Sequence, residues 1–178
     1  GVLEAKWTWT YNARGQALTA TQVNLTNAAQ SRTSTFTYCE AADVSAGTCP
    51  IVGLLIKVDG PRTDVSDVTT YTYFPNDDAT CASAPATCPH HKGDLWKIIN
   101  AQGQVAETLK YDGAGRSLST KDANGLITDL EYSGRGWLTA RKVREAAIDV
   151  PASISVISAR QLDEQRLRGL ADIAGAVP

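Results

Sequence analysis

The sequence lacks methionine, a marked excess of either charge and any long apolar run. Its 17 Lys and Arg face 19 Asp and Glu, a net charge of −2, so the basic field typical of non-specific nucleic-acid binding is absent. The longest apolar run, at 51–56, is far shorter than the roughly 20 residues of a membrane-spanning helix. We therefore expect neither a nucleic-acid partner nor a helical membrane span.

The absence of methionine also bears on what kind of chain this is. A complete translated frame normally starts with Met, whereas this chain starts at Gly1, so we expect a piece of a longer protein. Its 178 residues are 43% hydrophobic and 20% charged, a composition that allows a packed domain and argues against wholesale disorder.

Four cysteines are present, and they form two local pairs in irregular stretches rich in Ala, Thr and Pro. This spacing favours the disulfide bonds Cys39–Cys49 and Cys81–Cys88, each closing a short loop, although three connectivities are open. The alternative is four free thiols in a reducing cell. We favour disulfides, and with them a secreted or cell-envelope protein.

A short phrase built on tyrosine and glycine recurs along the chain. It reads Tyr-Asn-Ala-Arg-Gly at 11–15, Tyr-Asp-Gly-Ala-Gly-Arg at 111–116 and Tyr-Ser-Gly-Arg-Gly at 132–136. The last two copies are 21 residues apart, and self-similarity at such a period indicates an array of small supersecondary units. The repeat positions that we single out are Tyr11, Gly15, Tyr111, Asp112, Gly115, Arg116, Tyr132 and Gly136.

Each unit has the pattern of a β-hairpin. Asn124-Gly125 is a strong signal for a two-residue type I′ turn, and period-2 alternation follows it to Tyr132. The preceding unit has a turn at Gln102-Gly103, after which we expect Val105, Glu107, Leu109 and Tyr111 on one face. Because one hairpin is marginally stable, successive hairpins must stack side by side. The tyrosine before each glycine turn is expected to direct its hydroxyl to a polar partner.

These phrases resemble the RHS, or YD, repeat family over residues 7–143. The resemblance implies a mainly β fold of tandem antiparallel hairpins, part of a hollow β-shell, in a bacterial secreted or surface protein. It implies neighbouring repeats or an enclosed C-terminal effector, often a toxin, as partners, and some members of the family bind carbohydrate. The family's self-cleavage motif of the Asp-Pro-x-Gly-Leu type is not found in this sequence.

From residue 144 onward the composition changes, with no aromatic residue and no cysteine. A short strand around 150–157, an N-cap at Ser158 and one or two short helices are predicted there. This string, over 144–178, is similar to the start of a TonB-dependent receptor plug domain. The alternative function is therefore a fragment of an outer-membrane receptor or transport protein fused to YD repeats. An ordinary β–α capping element is the simpler interpretation of the same residues.

The sequence gives no catalytic, cofactor-binding or metal-binding residue that we would commit to, and we expect a non-enzymatic protein. Cys81-x6-Cys88-x-His90-His91 is the one metal-like cluster, but zinc sites use tighter cysteine spacing, so an exposed disulfide loop is favoured. Trp7, Trp9 and Tyr11 share one face of a predicted strand. That stripe is the best candidate platform for a carbohydrate ligand, although such stripes more often belong to a core.

Overall fold

The described part of the chain, residues 5–144 of a computed structural model, is one ten-stranded antiparallel sheet. Its strands lie side by side in chain order, so every neighbouring pair is a hairpin. This confirms the predicted mainly β class and the tandem hairpin organisation. The strands are β1 Ala5–Tyr11, β2 Ala17–Asn24, β3 Arg32–Tyr38, β4 Leu55–Asp59, β5 Thr69–Tyr73, β6 Leu95–Ile99, β7 Val105–Tyr111, β8 Ser117–Lys121, β9 Ile127–Tyr132 and β10 Leu138–Arg144.

The five loops that follow the odd-numbered strands lie at one end of the sheet, which we call the tyrosine end because each of these strands ends in tyrosine. All five close in the same way. The residue after the tyrosine accepts a hydrogen bond from a glycine N–H, and its own N–H donates to the residue after that glycine. The closing glycines, all with φ between 75° and 92°, are Gly15, Gly53, Gly93, Gly115 and Gly136.

The predicted two-residue turn at Asn124-Gly125 is wrong. Gly125 N–H donates to the carbonyl of Asp122 at 3.0 Å, and Asp122 N–H donates to the carbonyl of Leu126 at 3.0 Å. The loop therefore has three residues, with Gly125 as the left-handed residue that follows a tight turn. Asn100 and Gln104 close the predicted Gln102-Gly103 turn in the same way. The dipeptide signal located the reversals correctly and assigned the wrong loop length.

The register shifts at the end of every odd-numbered strand. Tyr11 pairs with Ala17 while Thr10 pairs with Thr19, so Leu18 is an extra residue on β2. The extra residues of the equivalent bulges are Ile56 on β4, Trp96 on β6, Leu118 on β8 and Thr139 on β10. An apolar residue three positions after the turn glycine is thus the mark of a β-bulge in four of these five places.

These bulges correct one predicted face. The alternation from Val105 to Glu107 does not continue to Tyr111, because Leu109 is an extra residue on β7. Lys110 therefore shares a face with Glu107, and Tyr111 lies on the other face. Tyr111 is consequently buried, with 8% of its surface exposed, while Leu109 remains exposed.

The two faces of the sheet differ in chemistry. Residues directly opposite each other in antiparallel strands share a face, so the observed register assigns each side chain to one of them. The apolar face carries Trp7, Trp9, Phe36, Val58, Tyr71, Ile98 and Leu130. The polar face carries Thr8, Thr10, Thr19, Thr21, Thr33, Thr35, Lys57, Thr70, Thr72, Lys97, Glu107, Lys121 and Asp129.

Burial is concentrated at the tyrosine end. The apolar residues that are buried among residues 5–144 are Cys39, Cys49, Cys88 and Tyr111. Two tyrosine-end loops carry insertions, 40–52 and 75–92; Cys49 and Cys88 lie within them, and Cys39 directly precedes the first. The first insertion contains helix α1 (Ala41–Ala46), and the second contains the 3-10 turns Ala79–Ala82 and Pro85–Thr87. A further 3-10 turn, Ala28–Gln30, lies in the loop between β2 and β3.

Disulfide bonds join Cys39 to Cys49 and Cys81 to Cys88, the local pairing that the spacing predicts. The predicted tail, with its strand, helices and resemblance to a receptor plug over 144–178, lies outside the described residues apart from Arg144, which ends β10. No helix within residues 5–144 is long and apolar enough to cross a membrane.

Replacing Gly125 by Ala tests the corrected turn. Gly125 has φ +85°, and a Cβ there would meet no atom within 4 Å, so the cost is backbone strain alone, about 1–2 kcal/mol. Gly113 is the matched control, since it is equally open and lies outside the left-handed region. We expect urea unfolding to show a loss of stability for Gly125→Ala and almost none for Gly113→Ala. Equal effects would contradict the assignment.

Candidate functional site

The tyrosines of three successive hairpins make the same hydrogen bond to the preceding hairpin, a contact that we call the latch. The hydroxyl of Tyr38 donates to the carbonyl of Ala17 at 3.0 Å. Tyr73 donates to Leu55 at 2.6 Å, and Tyr111 donates to Leu95 at 2.6 Å. Each acceptor lies two residues after the turn glycine of the preceding hairpin. The hydroxyl partner expected from the sequence is therefore a backbone carbonyl of the neighbouring unit.

Burial of the tyrosine rings makes these hydrogen bonds important for stability. Tyr111 is buried, and Tyr38 and Tyr73 are half-buried. Desolvation raises the pKa of Tyr73 above its usual value, so the hydroxyl stays protonated and available as a donor. A carbonyl at such a position has little access to water, so losing its donor is costly. The latches therefore connect each hairpin to the next by a polar contact as well as by strand pairing.

The last unit uses a different contact. The guanidinium of Arg116 lies 4.7 Å from the ring centre of Tyr132, a cation–π arrangement. The same guanidinium is held by Asp112, whose Oδ2 accepts from Nε at 2.7 Å. Arg116 thereby joins the turn of one hairpin to the tyrosine of the next. It also lowers the pKa of Asp112, through the side-chain hydrogen bond first and the backbone N–H of Arg116 second.

Side-chain oxygens stabilise the three-residue turns. Oδ1 of Asp112 accepts from the backbone N–H groups of Ala114 and Arg116, at 2.9 and 3.0 Å. The oxygens that do the same in the other turns belong to Asn12, Asn100 and Asp122. An Asn or Asp three residues before glycine is the sequence signal that would have found these turns.

Arg14, in the turn of the first hairpin, binds the carboxylate of Glu40, which begins the first insertion. The pKa of Glu40 is lowered chiefly by this hydrogen bond. Arg14 therefore connects the first hairpin to the disulfide loop of the next one. Because both side chains are well exposed, the pair contributes little stability by itself.

An ionic network crosses the middle of the polar face. The carboxylate of Glu107 on β7 lies 3.1 Å from Lys97 on β6 and 3.6 Å from Lys121 on β8. The pKa of Glu107 is lowered, mainly by the hydrogen bond from Lys97. One carboxylate thus holds two cations from the strands on either side. The network resembles the latches in that it joins neighbouring hairpins.

The aromatic stripe predicted as a candidate ligand platform lies at the edge of the sheet. Trp7 and Trp9 are 56% and 50% exposed, and Tyr11 is 59% exposed. The indole rings of Trp7 and Trp9 are 6.3 Å apart at an interplanar angle of 23°. Within residues 5–144 all three side chains of the stripe are therefore exposed.

The second insertion gathers the histidines and an acidic group around the Cys81–Cys88 disulfide. Nδ1 of His91 lies 3.7 Å from Sγ of Cys88 and 3.6 Å from Oδ1 of Asp77. His90 instead stacks on Phe74, with ring centres 3.7 Å apart, and Phe74 also stacks on Trp96. The pKa of Asp77 is lowered, first by the backbone N–H of Lys92, so Asp77 is a carboxylate at neutral pH.

Comparisons with known proteins find only distant structural similarity. No protein-family model matches it, and no curated protein does. Among solved structures it is similar to the Photorhabdus luminescens Tc holotoxin pore and to the TcdB2-TccC3 complex, each with 12% identity and a TM-score of 0.24. Each match covers 79% of this chain and 9% of the other, so this chain spans a small part of the chains it matches. Similarity at this level carries no argument about function.

The latches are tested by removing one hydroxyl at a time. Tyr111→Phe leaves the carbonyl of Leu95 without its donor, and we expect a loss of about 1 kcal/mol. Tyr132→Phe is the control, because its ring lies under Arg116 and its hydroxyl bonds to no residue within 5–144. Chemical denaturation of both variants should show the larger loss for Tyr111→Phe. A loss of equal size in Tyr132→Phe would argue against the latch.

Proposed function

We propose that residues 5–144 are a non-enzymatic scaffold, a structural repeat segment of an RHS-type secreted or cell-surface protein. The observation that supports this most strongly is the repeated latch, in which one hairpin's tyrosine binds the backbone of the hairpin before it. A contact that recurs at three of the four boundaries between hairpins serves the array rather than any single site. In this proposal, further repeats on either side extend the sheet into a shell around an effector.

The distribution of polar groups supports a structural role. Asn12, Asn100, Asp112 and Asp122 stabilise turns, and Glu107 joins three strands. The carboxylates among these side chains could act as acids or bases in an enzyme, but here they are engaged in holding the sheet together. The two disulfides support a secreted or envelope location, since such bonds persist in oxidising compartments.

Hydrogen exchange on the whole chain tests the scaffold proposal. In a linear array each unit contacts only its neighbours, so local opening starts at the two ends. We expect amide protection to be highest in β5 to β8 and to fall towards β1 and β10. Uniform protection across all ten strands would indicate a single globular core and contradict the proposal.

A second candidate function, carbohydrate binding, is favoured by the exposure of the aromatic stripe. Sugar rings stack on exposed aromatic faces, and Trp7 and Trp9 present two neighbouring rings on an edge strand. Gln22, directly opposite Trp7, adds an amide on the same face that can donate to and accept from sugar hydroxyls. Tyr11, the third member of the predicted stripe, is 59% exposed and extends the platform toward the tyrosine end.

Calorimetric titration with a panel of neutral oligosaccharides tests this second function. We expect Trp7→Ala and Trp9→Ala each to weaken binding about five-fold, because an aromatic stacking contact contributes roughly 1 kcal/mol. Trp137→Ala is the matched control, since Trp137 is 73% exposed but lies in the turn before β10, at the opposite edge of the sheet. Absence of binding across the panel, or an equal effect of Trp137→Ala, would refute the platform.

A further inference from the structure

The second insertion contains a set of metal-ligating atoms that the scaffold does not use. Sγ of Cys81, Sγ of Cys88 and a ring nitrogen of His91 all lie within 4.8 Å of one another. Between residues 5 and 144, no other group of three His, Cys, Asp or Glu ligand atoms has this proximity. Asp77 adds a carboxylate oxygen 3.6 Å from His91 Nδ1.

Spacing in the sequence argues against a metal here, but the local fold removes that objection. Six residues separate the two cysteines, more than zinc sites normally have. Cys81 lies within the first 3-10 turn of the insertion, and Cys88 directly follows the second. These turns fold the intervening chain back on itself, so the two Cα atoms are 4.5 Å apart.

Hydrogen bonds other than the disulfide hold the ligand-bearing residues in place. The base of the insertion is closed by Phe74 N–H to Asp94 and by Gly93 N–H to Phe74, both at 2.9 Å. Asp77 is fixed by the N–H of Lys92 at 2.7 Å, and the N–H of His91 donates to the Asp94 carboxylate at 2.7 Å. Cleavage of the disulfide therefore leaves His91 beside the two sulfur atoms and Asp77 beside His91.

We propose that the Cys81–Cys88 pair, once reduced, forms with His91 a binding site for Zn²⁺. A dithiol reductant supplies two electrons and two protons, so the S–S bond is cleaved to two thiols and the reductant becomes a disulfide. Zn²⁺ then displaces both thiol protons and is held by two thiolates and one imidazole nitrogen. The Asp77 carboxylate or a water molecule completes a four-coordinate set of the kind that Zn²⁺ prefers.

The site is redox-gated, because the same sulfur atoms make either the disulfide or the metal site. The carbonyl oxygen of His90 lies 3.4 Å from Sγ of Cys81 and 3.3 Å from Sγ of Cys88, so it accepts S–H bonds in the reduced, metal-free protein. Zinc competes with that carbonyl for both sulfurs. Reoxidation of the thiols by a disulfide oxidant removes two ligands at once and releases the metal.

Metal titration of the full chain in its oxidised and reduced forms tests the proposal, with Co²⁺ as a spectroscopic probe and Zn²⁺ as competitor. After reduction by a phosphine, we expect one Co²⁺ per chain with a thiolate-to-cobalt charge-transfer band, lost on adding Zn²⁺. The oxidised chain should show neither. His91→Ala should weaken binding roughly tenfold or more, the effect that loss of even an outer-shell partner produces. His90→Ala is the matched control and should bind normally, since its ring stacks on Phe74.

Alkylation mapping locates the bound metal independently of any substitution. With Zn²⁺ bound to the reduced chain, Cys81 and Cys88 should be protected from iodoacetamide while Cys39 and Cys49 react once the fold opens. Protection of Cys39 and Cys49 instead, normal binding by His91→Ala, or equal metal uptake by the oxidised chain would each overturn the proposal. Absence of any metal uptake after reduction would overturn it as well.

Discussion

The hydrogen bond from a tyrosine hydroxyl to the backbone of the preceding hairpin is the contact on which the rest of this sheet depends. It forms because each odd-numbered strand ends in tyrosine at a register shift, which carries the ring toward the neighbouring unit. The acceptor is a carbonyl next to the bulge residue of that unit. The turn, the bulge and the latch thus form one structural motif that repeats along the sheet.

The contacts of this motif take the place of a hydrophobic core. A sheet whose faces are both largely accessible gains little from apolar burial, and only four apolar residues between 5 and 144 are buried. Stability must then come from contacts between neighbours: strand pairing, latches and the Lys97–Glu107–Lys121 network. Such a structure is built unit by unit, which is the physical basis for proposing a scaffold.

The two insertions lengthen the loop of the motif and leave its turn closure intact. In both, the closing glycine and its two backbone hydrogen bonds are retained, while 13 and 18 residues (40–52 and 75–92) stand where the other turns have two. A disulfide closes each insertion, and each is also tied to a neighbouring unit. Arg14 binds Glu40 in the first, and Tyr111 N–H donates to the carbonyl of Pro89 in the second at 2.7 Å. The insertions are therefore places where new chemistry can be added to the array at little cost to the sheet.

Sequence reasoning reached the hairpins, the local disulfide pairing and the polar partner of three of the five turn tyrosines, Tyr38, Tyr73 and Tyr111, because these depend on local sequence patterns. Glycine marks a reversal through its own backbone freedom, and cysteines seven or ten residues apart are within reach of each other in nearly any loop. The same reasoning assigned the wrong loop length at Asn124-Gly125, since the dipeptide does not report the Asp122 side chain that closes a three-residue turn.

Only the three-dimensional arrangement decided which side chains meet across units and which stay at the surface. The extra residue Leu109 in β7 moves the buried ring of Tyr111 to the other face, and period-2 alternation cannot anticipate this, because one added residue reverses every later position in the strand. Trp7 and Trp9 are exposed because they lie on a face of the sheet that no other described element covers, a property of the tertiary arrangement rather than of composition. The proximity of His91 to Cys81 and Cys88 likewise arises from two short turns that fold the insertion back on itself.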